Sequence, residues 1–334
     1  MSDAKLVTVC VDAMGGDDAV EEVLHGVTEA LEADANIEIL LSGKEEVVVP
    51  FANTHQRVKA LVSNEVIEMG DHPAQAIREK KDSSIVKAAY ALKNDEADAF
   101  FSAGSTGAIL AALTIITGRI KGIKRPAICF LLPSKRPCAV LDLGANADIK
   151  PEYLVQFAYM GEAFAQIFFG VKDPEIGLLN IGSEETKGSS QAQECFKLLK
   201  REVKNFKGNA EGTDLFADKF DVIVTDGQSG NIALKTLEGT ASFLVSNLKA
   251  ALMSSLKSKL GAFLAKDALK SLKDVLNADA YGGGFLLGVK KVCIIGHGHT
   301  SSRAVKNGIL AAANAVRSEL VTSIANKLNT QESV

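Results

Sequence analysis

Leu6-Val-Thr-Val-Cys-Val11 is a continuous apolar run rich in β-branched residues, and Asp12-Ala-Met-Gly-Gly-Asp17 follows it at once. Beyond the glycines, Val20, Leu24, Val27 and Leu31 recur every three or four residues. The first pattern predicts a buried strand, the second a turn, the third an amphipathic helix. The same unit returns along the chain. Ala97–Ser102 leads into Ala103-Gly-Ser-Thr-Gly107 and a helix from Ala108 to about Thr117; Ala139–Leu143 leads into Gly144-Ala-Asn-Ala-Asp148 and a helix after Pro151. Gly177–Asn180 leads into Ile181-Gly-Ser-Glu-Glu-Thr-Lys-Gly188, and Val222–Thr225 into Asp226-Gly-Gln-Ser-Gly-Asn231. Val292–Ile295 opens the last such loop, Gly296-His-Gly-His-Thr-Ser-Ser302.

Strands that are apolar on both faces, alternating with helices, predict an α/β fold: three α/β/α layers around a mainly parallel sheet. In such sheets ligands bind beyond the carboxyl ends of the strands, where all six glycine loops are expected. Residues 1–334 read as one domain, with Pro133-Ser-Lys-Arg-Pro137 as a joint if it has two lobes.

Composition narrows the function. With 37 basic and 41 acidic residues, the net charge of −4 gives no basic face for nucleic acid. The five cysteines have neither CxxC nor zinc-finger spacing, which fits reduced thiols. The N-terminus lacks a signal-peptide pattern, and no apolar run nears the ~20 residues that cross a bilayer, so a cytoplasmic protein is expected.

Glycine loops that open helices let backbone N–H groups approach an anion, and the helix dipole favours its charge. The nucleotide versions are missing: there is no GxxxxGK[ST], and Gly296-His-Gly298-His-Thr-Ser301 lies at the wrong end of the chain for a dinucleotide fingerprint. HExxH and GxSxG are absent too. Lys187, in the loop before a helix, suits a phosphate as a point charge, or else pairs with Glu184 and Glu185. Asn231 can donate its amide to an oxyanion, cap a helix, or do both. His297 can serve as acid, base or donor. Asp12, Asp142, Asp148 and Asp226 sit at strand ends; no metal is assigned to them.

Between Ala241 and Leu276 the pattern changes. Leu244, Leu248, Leu252, Leu256, Leu260, Leu264, Leu272 and Leu276 recur at spacings of four or eight, with Lys249, Lys257, Lys259, Lys266, Lys270 and Lys273 between them. Residues 241–276 are expected to form a cationic amphipathic hairpin broken at Gly261. It suits dimer packing, an anionic membrane surface, or an acidic partner.

Val11-Asp-Ala-Met-Gly-Gly-Asp17, Pro73-Ala-Gln-Ala-Ile-Arg-Glu-Lys-Lys-Asp-Ser-Ser84, Ser102-Ala-Gly-Ser-Thr-Gly-Ala108 and Asp142-Leu-Gly-Ala-Asn-Ala-Asp148 resemble the bacterial phosphate acyltransferase family of phospholipid synthesis. Leu178-Leu-Asn-Ile-Gly182 with Lys187-Gly188, Asp226-Gly-Gln-Ser-Gly-Asn231 with Leu234-Lys235 and Glu238-Gly239, Tyr281-Gly-Gly-Gly-Phe-Leu-Leu-Gly288 and His297-Gly298 continue the resemblance in order. The chain departs from that pattern at Asp18-Ala19, Ser105, His299 and Thr300. The resemblance implies a fold like that of isocitrate and isopropylmalate dehydrogenases, a homodimer, no cofactor, and association with the inner face of the cell membrane. It also implies acyl carrier protein and inorganic phosphate as substrates, with a downstream acyl phosphate:glycerol-3-phosphate acyltransferase taking the product. The family's catalytic Lys-Gly and Gly-Asn positions fall on Lys187 and Asn231. Phosphate and substrate contacts are expected from Asp12, Gly15, Gly16, Ser83, Ser84, Gly104, Ser105, Thr106, Gly107, Asn146, Gly230 and His297. The competing readings are a phosphotransacetylase-like enzyme using short acyl-CoA, an NAD-dependent dehydrogenase, and a lipid-surface scaffold without turnover.

Overall fold

A computed structural model describes residues 5–16, 20–132, 136–270 and 282–331. The joint at 133–137, the hairpin beyond 270 and the motif start at Tyr281 thus fall wholly or partly outside the described residues.

Strand β1 (Val7–Asp12) turns its side chains alternately. Val7, Val9 and Val11 enter one apolar layer with helix α1 (Val20–Ala33), while Cys10 enters the other. The period of two thereby builds a core on each face of the sheet. Next come β2 (Ile37–Gly43), α2 (Glu45–Thr54), β3 (Val58–Val62), α3 (Pro73–Glu79) and α4 (Ser84–Lys93). They lead to β4 (Ala99–Ser102), α5 (Thr106–Ala112), β5 (Ala127–Leu132) and β6 (Cys138–Leu141). The chain continues through α6 (Pro151–Phe168), β7 (Ile176–Leu179), α7 (Ser190–Glu202), β8 (Phe206–Ala210), β9 (Val222–Val224), α8 (Gly227–Met253) and α9 (Leu256–Leu264). After β10 (Gly284–Leu287) and β11 (Val292–Ile295), helices α10 (Ser302–Arg317) and α11 (Leu320–Gln331) close the described chain.

The eleven strands among the described residues form one sheet, in the order β3-β2-β1-β4-β11-β10-β5-β6-β9-β7-β8. Helices cover both faces: α1, α6 and α10 pack on one, α4 and α5 on the other. The expected three-layer, mainly parallel α/β architecture is therefore present. What the strand pattern did not reveal is a reversal at the centre. Strand β10 is antiparallel to both β11 and β5, and β5 is antiparallel to β6. The carboxyl ends of β1, β4 and β11 consequently point to one edge of the sheet, and those of β6, β7 and β9 to the opposite edge.

Helix α8 starts beyond β9 and continues as a single 27-residue helix. Its described buried residues are only Gly227 and Gly230, and Phe243, Leu244 and Leu248 stand 65%, 58% and 41% exposed. The expected break at Gly261 lies elsewhere. The chain parts at Ser254–Ser255, where the Ser255 hydroxyl accepts the Ser258 N–H and starts α9, while Gly261 stays inside that helix. A serine that satisfies a helix-start donor marks a boundary better than a glycine, whose interior cost is only about 1 kcal/mol.

Candidate active site

At the first edge, β1 ends in the buried Asp12, which accepts the Ser102 hydroxyl at 2.7 Å and the Met14 N–H at 3.0 Å. The Gly15 N–H and the Ser84 hydroxyl also favour its ionised form. Burial pushes the Asp12 carboxyl upward, and these donors oppose the push. Ser102 in turn accepts the Gly104 N–H at 3.0 Å. A Cβ on Gly15 would stand 2.6 Å from the Gly104 nitrogen, so glycine is what lets the two loops close on each other. Gly16, at φ 109°, abuts the Gly298 carbonyl of the last glycine loop. Ser105 is buried at the start of α5, Thr106 is exposed beside it, and Gly107 packs against Pro73. Ser83 and Ser84 are fully buried; the Ser84 carbonyl accepts the Ser42 hydroxyl, whereas the Ser83 hydroxyl has no partner among the described residues.

At the opposite edge Asp142 has the same position after β6. Its Oδ1 accepts the Ile128 and Ala145 N–H groups, each at 3.0 Å. Its Oδ2 accepts the backbone and side-chain N–H of Asn146 at 2.7 and 2.8 Å. The Asn146 amide spends its other proton on the Pro126 carbonyl at 2.8 Å. Asn146 thus has no amide proton left for a ligand: it locks the turn, which is a different job from the phosphate contact expected of it. Gly230 also has a structural job in this turn. Its N–H donates to the carbonyl of Asp226, the residue that caps the start of α8, and a Cβ there would fall 2.0 Å from the Asp142 carbonyl oxygen. Its smallness seats α8 on the Asp142 turn. Gly144, at φ 126°, then faces the exposed Asn231, and a Cβ on that glycine would stand 3.7 Å from the asparagine side chain.

The Lys187 loop joins the same edge after β7. Asn180 donates to the Lys187 carbonyl at 3.2 Å and to the Asn209 oxygen at 3.1 Å, and Asn209 donates to the Glu184 carbonyl at 2.8 Å. Gln193 holds the Thr186 carbonyl, and Gln191 ties the start of α7 to the Ile149 carbonyl. The backbone is fastened while the ammonium is loose: Lys187 is 47% exposed and stands 3.8 Å from Glu184. Since β7 and β9 are neighbours, Lys187 and Asn231 follow adjacent parallel strands.

One helical turn beyond Asn231, the Lys235 ammonium lies 3.3 Å from His297 Nε2 and 2.7 Å from Glu238. His297 and Glu238 are 3.7 Å apart. The last glycine loop of the first edge thereby meets the helix that carries Asn231 of the second. Lys235 and Glu238 belong to the sequence motif, yet the motif alone gives neither of them a job. Their positions four and seven residues after Asn231 on a helix were the available signal. Asn180 and Asn209 carried no comparable signal, since nothing local links them.

Clamped loops, close-approach glycines, one loosely paired ammonium and one exposed carboxamide thus gather at the strand ends of a three-layer α/β protein. Among known proteins, the model of the fatty acid synthesis protein family matches residues 7–323, and the chain belongs to that family. It is 44% identical to the phosphate acyltransferase of Dictyoglomus thermophilum over 328 residues, 96% of this chain and 97% of that one. It is 42% identical to the phosphate acyltransferase of Clostridium novyi over 321 residues, 95% and 97% of the two chains. A solved phosphotransacetylase from Streptococcus pyogenes shares the fold, with a TM-score of 0.63 at 17% identity over 93% of this chain and 94% of that one.

Proposed function

We propose that this chain moves a long-chain fatty acyl group from the thioester of acyl carrier protein to inorganic phosphate, giving acyl phosphate for phospholipid synthesis. Acyl transfer to phosphate follows from family membership and near-full-length relatives bearing that activity in their names. The roles of residues rest on one observation: the loose Lys187 ammonium on a fastened loop, beside the strand that delivers Asn231.

In this reading Lys187 holds a phosphate oxygen by charge. A second phosphate oxygen attacks the thioester carbonyl, forming a C–O bond and pushing the carbonyl electrons onto oxygen. Asn231 donates its amide to that oxyanion. As the carbonyl re-forms, the C–S bond breaks and its electron pair leaves with the thiolate, which takes a proton from solvent. Phosphate is already anionic at neutral pH, so positioning and oxyanion stabilisation are the main demands on the protein. Lys187→Ala and Asn231→Ala should each lower kcat by about 10²–10³-fold, the usual worth of one oxyanion donor, with the urea midpoint unchanged. Near-normal turnover in both variants discards the assignment.

The exposed apolar row on α8 and α9, interleaved with Lys249, Lys257 and Lys259, supports a homodimer and an anionic membrane contact as further parts of the reading. No helix among the described residues is long and apolar enough to cross a membrane. An acidic carrier protein suits the same lysines, and a glycerol-3-phosphate acyltransferase is the expected consumer of the product. The deciding experiment incubates the protein with palmitoyl carrier protein and labelled phosphate and looks for an acid-labile acyl phosphate. Product from acetyl-CoA alone would instead place the chain with short-chain enzymes.

A further inference from the structure

The Lys235 ammonium has three N–H groups to place. One goes to the Glu238 carboxylate at 2.7 Å and one to His297 Nε2 at 3.3 Å, and the third finds no partner among the described residues. An ammonium only donates, so the His297 nitrogen accepts. His297 is itself held. The Gly296 N–H donates to the Ser102 carbonyl at 2.8 Å, and the Thr300 hydroxyl donates to the His297 carbonyl. Lys235 is thus a half-exposed cation gripped from its own helix and from the last glycine loop, unlike Lys187, which stands 3.8 Å from Glu184.

We infer that Lys235 is a further substrate-binding residue, whose third N–H takes an oxygen of the inorganic phosphate, with His297 and Glu238 as its positioning residues. The inference rests on the reading of Asn231 as the donor to the thioester oxyanion. Helical spacing carries it. Lys235 and Glu238 follow Asn231 by four and seven residues in α8, so the three share one face, within about 60° of one another around the axis. Lys235 is one turn along, about 6 Å, and Glu238 lies beyond it, on the far side from Asn231. Once phosphate attacks the carbonyl whose oxygen Asn231 holds, only the attacking oxygen separates phosphorus from that carbon. The remaining phosphate oxygens therefore lie close to the Asn231 amide, within reach of a lysine one turn away. Any phosphate at the far end of the thiol arm is many bonds from the reacting carbon and lies beyond that reach.

Charge supplies the need for a second cation. Phosphate near neutral pH carries more than one negative charge, and Lys187 balances one. A hydrogen bond from a fixed ammonium adds orientation to the looser attraction of Lys187. Glu238 acts in two opposed ways: its oxygen fixes the lysine, and its charge repels the anion that the lysine is to hold.

The test measures acyl phosphate formed from labelled phosphate and hexadecanoyl thioesters of carrier protein and coenzyme A, each substrate varied in turn. It compares the wild type with Lys235→Met, Lys235→Arg and Glu238→Gln. Urea midpoints in rising phosphate, at constant ionic strength, report phosphate binding without turnover. Lys235→Met should raise KM for phosphate about tenfold or more, the worth of one hydrogen bond between charged groups. It should leave KM for the thioester unchanged and blunt the rise in midpoint that phosphate produces. Lys235→Arg keeps the charge and should recover part of the loss. Glu238→Gln keeps an acceptor for the lysine but removes the repulsion, so KM for phosphate should fall about twofold, the usual worth of one exposed charge pair. That variant keeps the inference testable if Lys235→Met does not fold. A wild type that makes acyl phosphate, with KM for phosphate unchanged in the folded variants, overturns the inference and leaves the parent reading standing. A higher KM for the thioester alone also overturns it, by placing Lys235 against the thiol arm. Equal rises in both KM values overturn it too, since they mark a mere tie between loop and helix. Absence of acyl phosphate from the wild type with either thioester overturns the parent reading and the inference with it.

Discussion

The turns after Asp12 and Asp142 use one device at opposite edges of the sheet, but they differ in what donates to the carboxylate. Each places a buried aspartate at a strand end and surrounds it with four donors. Around Asp142 every donor is an amide nitrogen: Ile128, Ala145 and both N–H groups offered by Asn146. Around Asp12 two of the four are serine hydroxyls, Ser102 and Ser84. An amide N–H can only donate, whereas a hydroxyl can turn and accept. The Asp142 turn is thus fixed in one arrangement, and it supports the Gly144–Asn231 contact. The Asp12 turn can exchange donor for acceptor without moving its backbone.

Asp142→Asn should produce the largest change. The new NH₂ group must face two N–H donors that cannot reverse, leaving two buried backbone or side-chain donors without acceptors. At ~1–3 kcal/mol for each stranded group, a loss of about 4 kcal/mol is expected from the urea midpoint at constant m-value. A loss under about 1 kcal/mol would show that the turn rearranges freely, and the contrast between the two edges would collapse. Gly144→Ala comes next. At φ 126° an alanine is strained, at a cost of about 1–3 kcal/mol. The Cβ itself finds ordinary contact distance from Asn231, so the strain falls on the turn rather than on a clash. About 2 kcal/mol of stability should go, with kcat falling about tenfold as Asn231 shifts and KM for phosphate changing less.

The sequence carried the six strand–loop–helix units because a strand buried on both faces must be apolar throughout and its turn must contain glycine. It did not carry the sheet reversal, since the antiparallel insertion of β10 beside β5 depends on partners far apart in the chain, such as Phe285 and Cys129. Asn146 shows the limit at the site. A carboxamide that could donate to phosphate is the same chemical group that locks a turn, and only the positions of Pro126 and Asp142 distinguish the two jobs. Lys187 differs because its loop motif already put a cation before a helix, and folding left that cation loosely paired. Asn180 and Asn209, which fasten the loop, are separated by 29 residues and became visible only once β7 and β8 paired.

Asp12→Asn should be the mildest of the three and is the sharpest test of the hydroxyl argument. The asparagine oxygen keeps the Met14 N–H, and its NH₂ group takes the place of Oδ2 beside Ser102. The Ser102 hydroxyl then turns to accept, as the Ser84 hydroxyl can, so the expected cost is about 1 kcal/mol, one exchanged hydrogen bond. Its pH dependence has a definite sign. Burial raises the Asp12 carboxyl, so the folded chain holds that proton more tightly than the unfolded chain, whose aspartates titrate near ~3.9. The stabilisation from the wild-type group is complete below that value and is lost as pH rises through the folded one. Asparagine does not titrate, so the gap between wild type and Asp12→Asn should narrow as pH rises, measured by urea unfolding at a series of pH values. Asp12→Asn in a Ser102→Ala, Ser84→Ala background removes the groups that can turn, and its cost should climb toward that of Asp142→Asn. If it stays at about 1 kcal/mol without the hydroxyls, the two turns tolerate the amide for some shared reason, and donor type is not what separates them.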